Sequence, residues 1–295
     1  MAAIVVTHNS GEHIGALLES LPDAFGDIDH SVIVVDNGSS DRSADIAESY
    51  DGVTVVRSTN TGYGAGMNTG VRCSTHGADI LVLNPDATLA PGSVSAMMSA
   101  LRRTRAGIVA PRMTEADGSL SPSLRRAPTL GRAGGLSFTR LAAFAERIED
   151  HRAYEHEHEV DWVVGAVMLI DRGCFDALDG FDESYFLYSE ETDLCLRARD
   201  HGWRTVYTPT AEVMHVGGGS GESAATHAMK MVNRVRLYGR RHGRAATWAY
   251  YGIAVATELR RALLGHSASW VALRALLDPA RRPAQIGAND NRLPT

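Results

Sequence analysis

Cysteine is scarce in this 295-residue chain: Cys73, Cys174 and Cys195 are the whole supply. Three scattered thiols exclude a disulfide framework and a thiolate zinc site, and fit a reducing compartment. Lysine is scarcer still, Lys230 being the only one, so arginine carries nearly all the positive charge. Acidic residues outnumber basic ones by 35 to 29, a net −6 that gives no general attraction to nucleic acid. No apolar run reaches the 18 or more residues of a spanning helix; Ala245–Ala256 is shorter and holds Thr247 and two tyrosines. A secretory leader is also missing from the opening Met1–Thr7 stretch, and a cytoplasmic setting is expected. With 44% hydrophobic and 22% charged residues, what remains is an ordinary globular chain.

Its first hundred residues alternate short β-branched runs with helical spacing. Strands are expected at Ala3–Thr7, Val32–Asp36, Val53–Arg57 and Ile80–Asn84, and helices near Glu12–Leu21, Arg42–Tyr50 and Gly64–Cys73. A further helix over Gly92–Thr104 and a strand over Gly107–Pro111 continue the alternation. Uniformly apolar strands between helices imply a doubly wound, mainly parallel sheet covered on both faces. Further on, Trp162–Ile170 reads as one buried strand, Glu190–His201 as a helix, and Trp203–Tyr207 and Ala211–His215 as two strands. Three helices follow: Ala224–Arg241, Ala245–Leu264 and Ser269–Leu277, with a loose proline-containing tail. Residues 1–220 are expected to form the catalytic domain and 221–295 a helical extension.

Three expected strands end in polar clusters: Thr7-His8-Asn9-Ser10, Asp36-Asn37-Gly38-Ser39-Ser40-Asp41 and Asn84-Pro85-Asp86. Open α/β sheets bind ligands beyond the carboxyl ends of their strands, although such clusters also make turns and helix caps. A nicotinamide-binding fold would place glycines after the first strand; here Gly62-Tyr63-Gly64-Ala65-Gly66 follows the third, suggesting close approach to a ligand. Asp86 is placed to hold Mg²⁺ or Mn²⁺ on a diphosphate. Asp36 could meet a base or ribose, or merely cap the next helix. Glu190, Glu191 and Asp193, behind the aromatic entrance Phe186-Leu187-Tyr188, crowd three acids into four residues, which raises at least one pKa toward that of a base. His215, before Gly217-Gly218-Gly219-Ser220, is a candidate imidazole ligand. His151, His156 and His158 lie in a charged run that reads as a solvated segment rather than a metal site.

Taken in order, Val5-Val6-Thr7-His8-Asn9, Val34–Asp41, Asn60–Asn68, Leu83-Asn84-Pro85-Asp86, Trp162–Ala166, Glu190–Leu194 and His215–Ser220 resemble family 2 glycosyltransferases of the GT-A fold, and within them the bacterial rhamnosyltransferase-like branch. The likeness covers about residues 2–240. It implies an inverting transfer of a sugar, such as rhamnose or a related deoxysugar, from a dTDP- or UDP-linked donor to a saccharide or lipid-linked acceptor. By the same resemblance Thr7, Asn9, Asp36, Asn60, Gly64 and Asn68 hold the nucleotide, while Asp86 and His215 hold Mg²⁺ or Mn²⁺. Glu191 falls where the family places its general base, with Glu in place of the usual Asp, and Glu190 and Asp193 stand as reserves. Asn84 replaces the first acid of the family's Asp-x-Asp motif. Arg125 and Arg126 match an arginine-bearing loop that touches donor or acceptor phosphate, unless it is simply solvated.

From Lys230 to Arg261 there are eight basic residues against one acid, Glu258, beside Trp248-Ala249-Tyr250-Tyr251. Such a stretch suits the inner face of an anionic membrane, or else a helical cap on the main domain or on a second copy in a homodimer. The competing functions are a sugar nucleotidyltransferase, which wants a basic glycine-rich loop after the first strand, and a catalytically silent nucleotide-sugar-binding protein. Thr7–Gly11 contains neither lysine nor arginine.

Overall fold

The computed structural model of the chain describes residues 1–134, 139, 141, 143–216, 223–286 and 293. The Gly217–Ser220 segment, the expected boundary at 220/221 and most of the tail beyond 286 lie outside the described residues. A nine-stranded mixed sheet forms the centre. Strands β1 (Ala2–Thr7), β2 (Ser31–Asn37), β3 (Val53–Ser58) and β4 (Ile80–Leu83) are parallel neighbours in the order β3-β2-β1-β4. The apolar runs create this core because β1, β2 and β4 are buried on both sides, while β3 is the half-exposed edge. Ala3 and Val5 face one way, against α1 (Ile14–Phe25) and α4 (Ser93–Thr104). Ala2, Ile4 and Val6 face the other, against α3 (Tyr63–Arg72). A short helix α2 (Ser43–Glu48) completes the first half. Two features depart from the expected pattern. Helix α1 continues through Pro22 to Phe25 instead of stopping at Leu21. Asp41, rather than Asp36, ties down the start of α2, accepting from Ser43 N at 3.0 Å.

The second half adds strands of both directions. Strand β5 (Ala87–Leu89) forms one edge, and β6 (Ile108–Thr114) lies inside the sheet. The stretch read as one strand over Trp162–Ile170 divides at Val164-Gly165-Ala166. Its first part, β9 (Trp162–Val163), pairs with β7 (Leu124–Arg125) in a separate ribbon. Its second, β10 (Val167–Ile170), enters the main sheet antiparallel between β4 and β6. Backbone bonds to other segments drive the break: Val164 N donates to Ser123 O (3.1 Å) and Asn84 N to Ala166 O (2.7 Å). Conversely, the two strands expected after Trp203 are one, β11 (Thr205–His215), with a register shift between Thr208 and Glu212 around Pro209, which has no N–H to donate. Strand β8 (His158–Val160) covers part of β11.

Helices α6 (Arg172–Ala177) and α7 (Glu190–Asp200) flank the sheet, and the short α5 (Leu130–Ala133) packs on the C-terminal helices. The last three, α8 (Ala224–Arg241), α9 (Arg244–Leu263) and α10 (Ser267–Leu277), share a core of their own built on Val232, Val235, Ala254, Ala272 and Leu276. No described helix is long and apolar enough to cross a membrane.

Candidate active site

Because β1, β2 and β4 run parallel as neighbours, the polar clusters that follow them emerge on one edge of the sheet. A cleft of about 200 Å³ opens there, walled by His8, Ser10 and His13 after β1, Asn37 after β2, Asn60 and Tyr63 after β3, and Asn84-Pro85-Asp86 after β4. Phe186 and Leu187 close its far side. Thr7 is fully buried at the floor of this edge, and its hydroxyl has no hydrogen-bond partner. Asn37 donates from Nδ2 to Gly62 O (2.9 Å) and leaves a buried Oδ1 unpartnered. Buried polar atoms are ordinarily paired, so two orphans beside one cleft mark a place shaped for a ligand.

Asp86 and His215 are far apart in sequence but adjacent in space. Strand β5 pairs antiparallel with β11 so that His215 faces Ala87, and Val216 N donates to Asp86 O (3.1 Å). His215 Nε2 lies 3.1 Å from Asp86 Oδ1. Even so, this buried nitrogen has no aligned hydrogen-bond partner. Burial pushes the Asp86 carboxyl up, but the neighbouring imidazole and, further off, His13 outweigh it and hold it below the ordinary range. An ionised carboxylate beside a free imidazole nitrogen fits a divalent cation. Among the described residues no third His, Cys, Asp or Glu joins them. The pair therefore suits an ion that completes its shell with substrate oxygens, as Mg²⁺ and Mn²⁺ do on diphosphates.

The acidic cluster opens α7, and its entry is strained. Tyr188 and Ser189 both have left-handed backbone, with φ of 66° and 80°. Such geometry in side-chain-bearing residues costs free energy and persists only where the surroundings enforce it. Here Asn233 of α8 enforces it: fully buried, it donates from Nδ2 to Leu187 O (2.9 Å) and Tyr188 O (3.2 Å). Its Oδ1 accepts from the buried Arg236 (2.7 Å), which also reaches Ser184 O. Glu190 is 4% exposed with an unpartnered Oε2, and burial together with Glu191 pushes its carboxyl well above the ordinary 4.5. Glu191 is partly exposed in a small second cavity; burial raises it too, while Arg125 and Lys230 pull it back. Asp193 is occupied elsewhere, in an ion pair with Arg197 at 2.6 Å.

Tyr63 joins the two halves. Its hydroxyl donates to Gly165 O (3.0 Å), and burial plus the charges of Glu190, Glu191 and Asp86 raise its pKa far above 10. Gly62, with φ of 100°, lets Tyr63 N reach Phe186 O (2.8 Å); a Cβ at position 62 would run into that carbonyl. The close approach expected of this glycine run is thus to the chain itself. A Cβ at Gly66 would lie 2.9 Å from the Val6 methyls, and one at Gly64 would lie 3.1 Å from Phe181.

Of the other residues marked in the sequence, Asn60 lines the cleft. Asn9 and Asp36 adjoin lining residues but do not line it themselves: Asn9 Oδ1 accepts from Ser40 N (2.7 Å), and buried Asp36 accepts from Ser39 N (3.3 Å). Asn68 does not reach it. That side chain is consumed by Phe181, donating to its O (2.9 Å) and accepting from its N (3.0 Å), and by Glu183. The Arg125–Arg126 segment is packed rather than solvated. Arg125 lies 5.8 Å over the Trp162 ring and donates to Pro122 O (2.7 Å), and Arg126 donates to Ala145 O (3.1 Å). Among the described residues, His151, His156 and His158 form no cluster with carboxylates that could hold a metal. The sequence reading passed over Asn37, Tyr63 and Asn233 as site residues. Asn37 was legible in its cluster, but the other two gain their roles only through contacts made by folding.

A family model, described as glycosyltransferase like family 2, matches residues 1–240. The chain belongs to this family. Among curated proteins, this glycosyltransferase is 35% identical over 247 residues to the N-acetylglucosaminyl-diphospho-decaprenol L-rhamnosyltransferase of Mycobacterium tuberculosis, covering 77% of this chain and 80% of that one. It is 29% identical to rhamnosyltransferase WbbL of Escherichia coli, covering 72% and 81%. Among solved structures it superposes with a TM-score of 0.57 on the mannosyltransferase PcManGT of Pyrobaculum calidifontis, in complex with GDP-Man and Mn²⁺, at 17% identity and covering 95% and 81%. It gives the same score on GalNAc-T7 with UDP, GalNAc and Mn²⁺, at 15% identity, covering 80% of this chain and 47% of that one. These neighbours share the GT-A fold.

Proposed function

We propose that this glycosyltransferase moves rhamnose or a related deoxysugar, with inversion, from a dTDP- or UDP-linked donor to a hydroxyl of a lipid-linked or polysaccharide acceptor. The observation that carries this reading is the convergence of Asp86, His215, Tyr63 and the Glu190–Glu191 pair around one sheet edge. The donor's nucleotide would lie in the cleft against Asn37, Asn60 and the β1 loop, with Thr7, Asn9 and Asp36 next to it, while Gly64 packs against Phe181 and Glu190. Asp86 and His215 would hold Mg²⁺ or Mn²⁺, which when bound offsets the charge on the departing diphosphate. Glu191 takes the proton from the acceptor hydroxyl as that oxygen bonds to the anomeric carbon. The bond from that carbon to the diphosphate breaks on the opposite face, and the nucleoside diphosphate leaves with its electron pair. Glu190, buried and protonated, places no second negative charge beside the base. Arg125 and Lys230 limit the rise that burial imposes on the Glu191 carboxyl. The β1 loop offers His8 and Ser10 instead of lysine or arginine, which disfavours a nucleotidyltransferase.

A lipid-linked acceptor requires a route to a bilayer. Five of the eight clustered basic residues are spent inward: Lys230 over Tyr188, Arg234 on Glu146, Arg236 on Ser184, Arg240 on Asp182 and Arg241 on Asp200. The outer surface of α9 and α10 supports peripheral membrane contact better. Trp248, Leu259, Leu263, Leu264, Trp270 and Leu277 are exposed there among Arg244, Arg260 and Arg274, and the one acid of these helices, Glu258, is buried. Flotation with anionic and neutral liposomes tests this; dimerisation without vesicle binding would instead assign the surface to a second copy.

The activity test is incubation with a panel of nucleotide sugars, Mg²⁺ or Mn²⁺ and a synthetic sugar-diphospho-prenol. Release of nucleoside diphosphate with a product of inverted anomeric configuration by NMR is expected. A retained configuration, or no transfer from any donor, overturns the reading.

A further inference from the structure

Beyond the donor cleft, the chain builds a second recessed region on the far side of Glu191. The small cavity that holds Glu191, about 50 Å³, adjoins one of about 260 Å³ between α5, α8 and α9. The two share Lys230, Arg234 and Tyr250 as a common wall. The larger is strongly cationic: Arg132, Lys230, Arg234 and Arg261 line it against a single carboxylate, Glu258. That carboxylate is already engaged, 2.9 Å from His227 Nε2. Arg234 pairs with Glu146 from the smaller cavity. Lys230 stands over the Tyr188 ring, which leaves Arg132 and Arg261 as the outer cations of the recess.

The two outer arginines are held mainly by neutral groups. Arg132 donates from Nη1 to Ala127 O (2.6 Å), and its buried Nε has no partner. Arg261 donates to Ser269 Oγ (3.3 Å). Neither forms an ion pair with a carboxylate among the described residues. Concentrated positive charge with an unused buried donor is poorly explained by stability, because like charges in a recess repel. It is well explained by an anionic ligand, since arginine forks match phosphate oxygens.

We propose that this recess binds the phosphate or diphosphate of the acceptor. The proposal rests on the transferase reading above, with Glu191 as base. The reacting hydroxyl must lie at Glu191, so it enters the small cavity while the sugar bearing it, too large for about 50 Å³, sits at the mouth. Whatever is attached to the other end of that sugar passes Lys230 into the larger one. In a lipid-linked sugar this attachment is a diphosphate. The lipid beyond it would leave along α9, whose outer face carries the exposed leucines and Trp248.

The test compares two acceptors with the same sugar and the same saturating donor, a short-prenyl diphosphate and a phosphate-free octyl glycoside. The wild-type chain should prefer the diphosphate in kcat/KM. Arg132→Gln and Arg261→Gln together should shrink that preference about tenfold or more, the scale of lost charged hydrogen bonds. As a ratio on one preparation, the preference is insensitive to any fraction of unfolded protein. Repeating the comparison with a long prenyl chain separates the sources: the same shrinkage at both lengths assigns it to phosphate, and shrinkage only with the long chain assigns it to lipid and overturns the proposal. Equal use of both acceptors by the wild type, or an unchanged preference in the double variant, also overturns it while transfer itself stands. Transfer to neither acceptor by the wild type overturns the transferase reading and this site with it.

Discussion

Replacing Asn233 probes the link between the C-terminal helices and the acidic cluster. This side chain makes three hydrogen bonds in a fully buried setting, two to the Leu187 and Tyr188 carbonyls and one to the Arg236 guanidinium. The neutral bonds contribute about 1 kcal/mol each and the charged one about 1.5–3 kcal/mol, so Asn233→Ala should cost roughly 3–5 kcal/mol. At about 2 °C per kcal/mol for a large domain, Tm should fall by roughly 6–10 °C. The same change releases the left-handed Tyr188–Ser189 backbone, whose strain is of order 1–3 kcal/mol per residue and relaxes once the clamp is gone. Since Glu190 and Glu191 follow directly, a misplacement on the order of 1 Å should lower turnover about 10²-fold at temperatures where the variant is folded. Asn233→Asp sharpens the test: it keeps the volume and the Arg236 contact but sets a carboxylate against two carbonyls, and should impair turnover as severely. Thermal denaturation and initial-rate transfer assays measure both quantities. A Tm change below about 2 °C would refute the bond arithmetic, and normal turnover in a clearly destabilised Asn233→Ala would refute the coupling of clamp to catalysis.

Other perturbations act on single parts of the site. Glu191→Gln should keep donor binding, measured by calorimetry, and lose roughly 10²–10⁴ in kcat, the usual contribution of a positioned base. Asp86→Ala should abolish the dependence of donor binding on Mg²⁺ or Mn²⁺ in the same calorimeter; unchanged metal dependence would remove Asp86 from the ligand set. Gly62→Ala should cost at least about 1–3 kcal/mol, because its left-handed backbone is strained for alanine and the new Cβ meets the Phe186 carbonyl; an unaltered Tm would contradict the contact. Glu190 should show itself in stability against pH. Its folded pKa lies above the unfolded 4.5, so it keeps its proton in the folded chain while the unfolded chain loses it, and its contribution falls as pH rises through that window. Glu190→Gln should therefore raise Tm near neutrality and have little effect below pH 4.5, in matched denaturation series.

Chain order alone carried much of this molecule. Apolar runs of four or five residues separated by helical spacing are legible because a doubly buried parallel strand needs no alternation, and few other structures tolerate such runs. The polar clusters after β1, β2 and β4 were readable for the same reason, since parallel neighbours put their carboxyl ends together. Asp86 and His215 were visible as residue types, but their 3.1 Å approach depends on β5 pairing antiparallel with β11, a register no local pattern encodes. Asn68, Arg125 and Arg126 read as ligand contacts and were claimed by packing, because side-chain amides and guanidinium groups bind backbone carbonyls as readily as substrates. The basic stretch of α8 read equally as a membrane surface or as a cap on the main domain, and folding turns it inward onto Glu146, Asp182, Ser184 and Asp200. Sequence sets which segments are strands and helices through local burial and periodicity. Only tertiary structure decides which distant polar groups meet, because their pairing energy exists only after the core has brought the chain together.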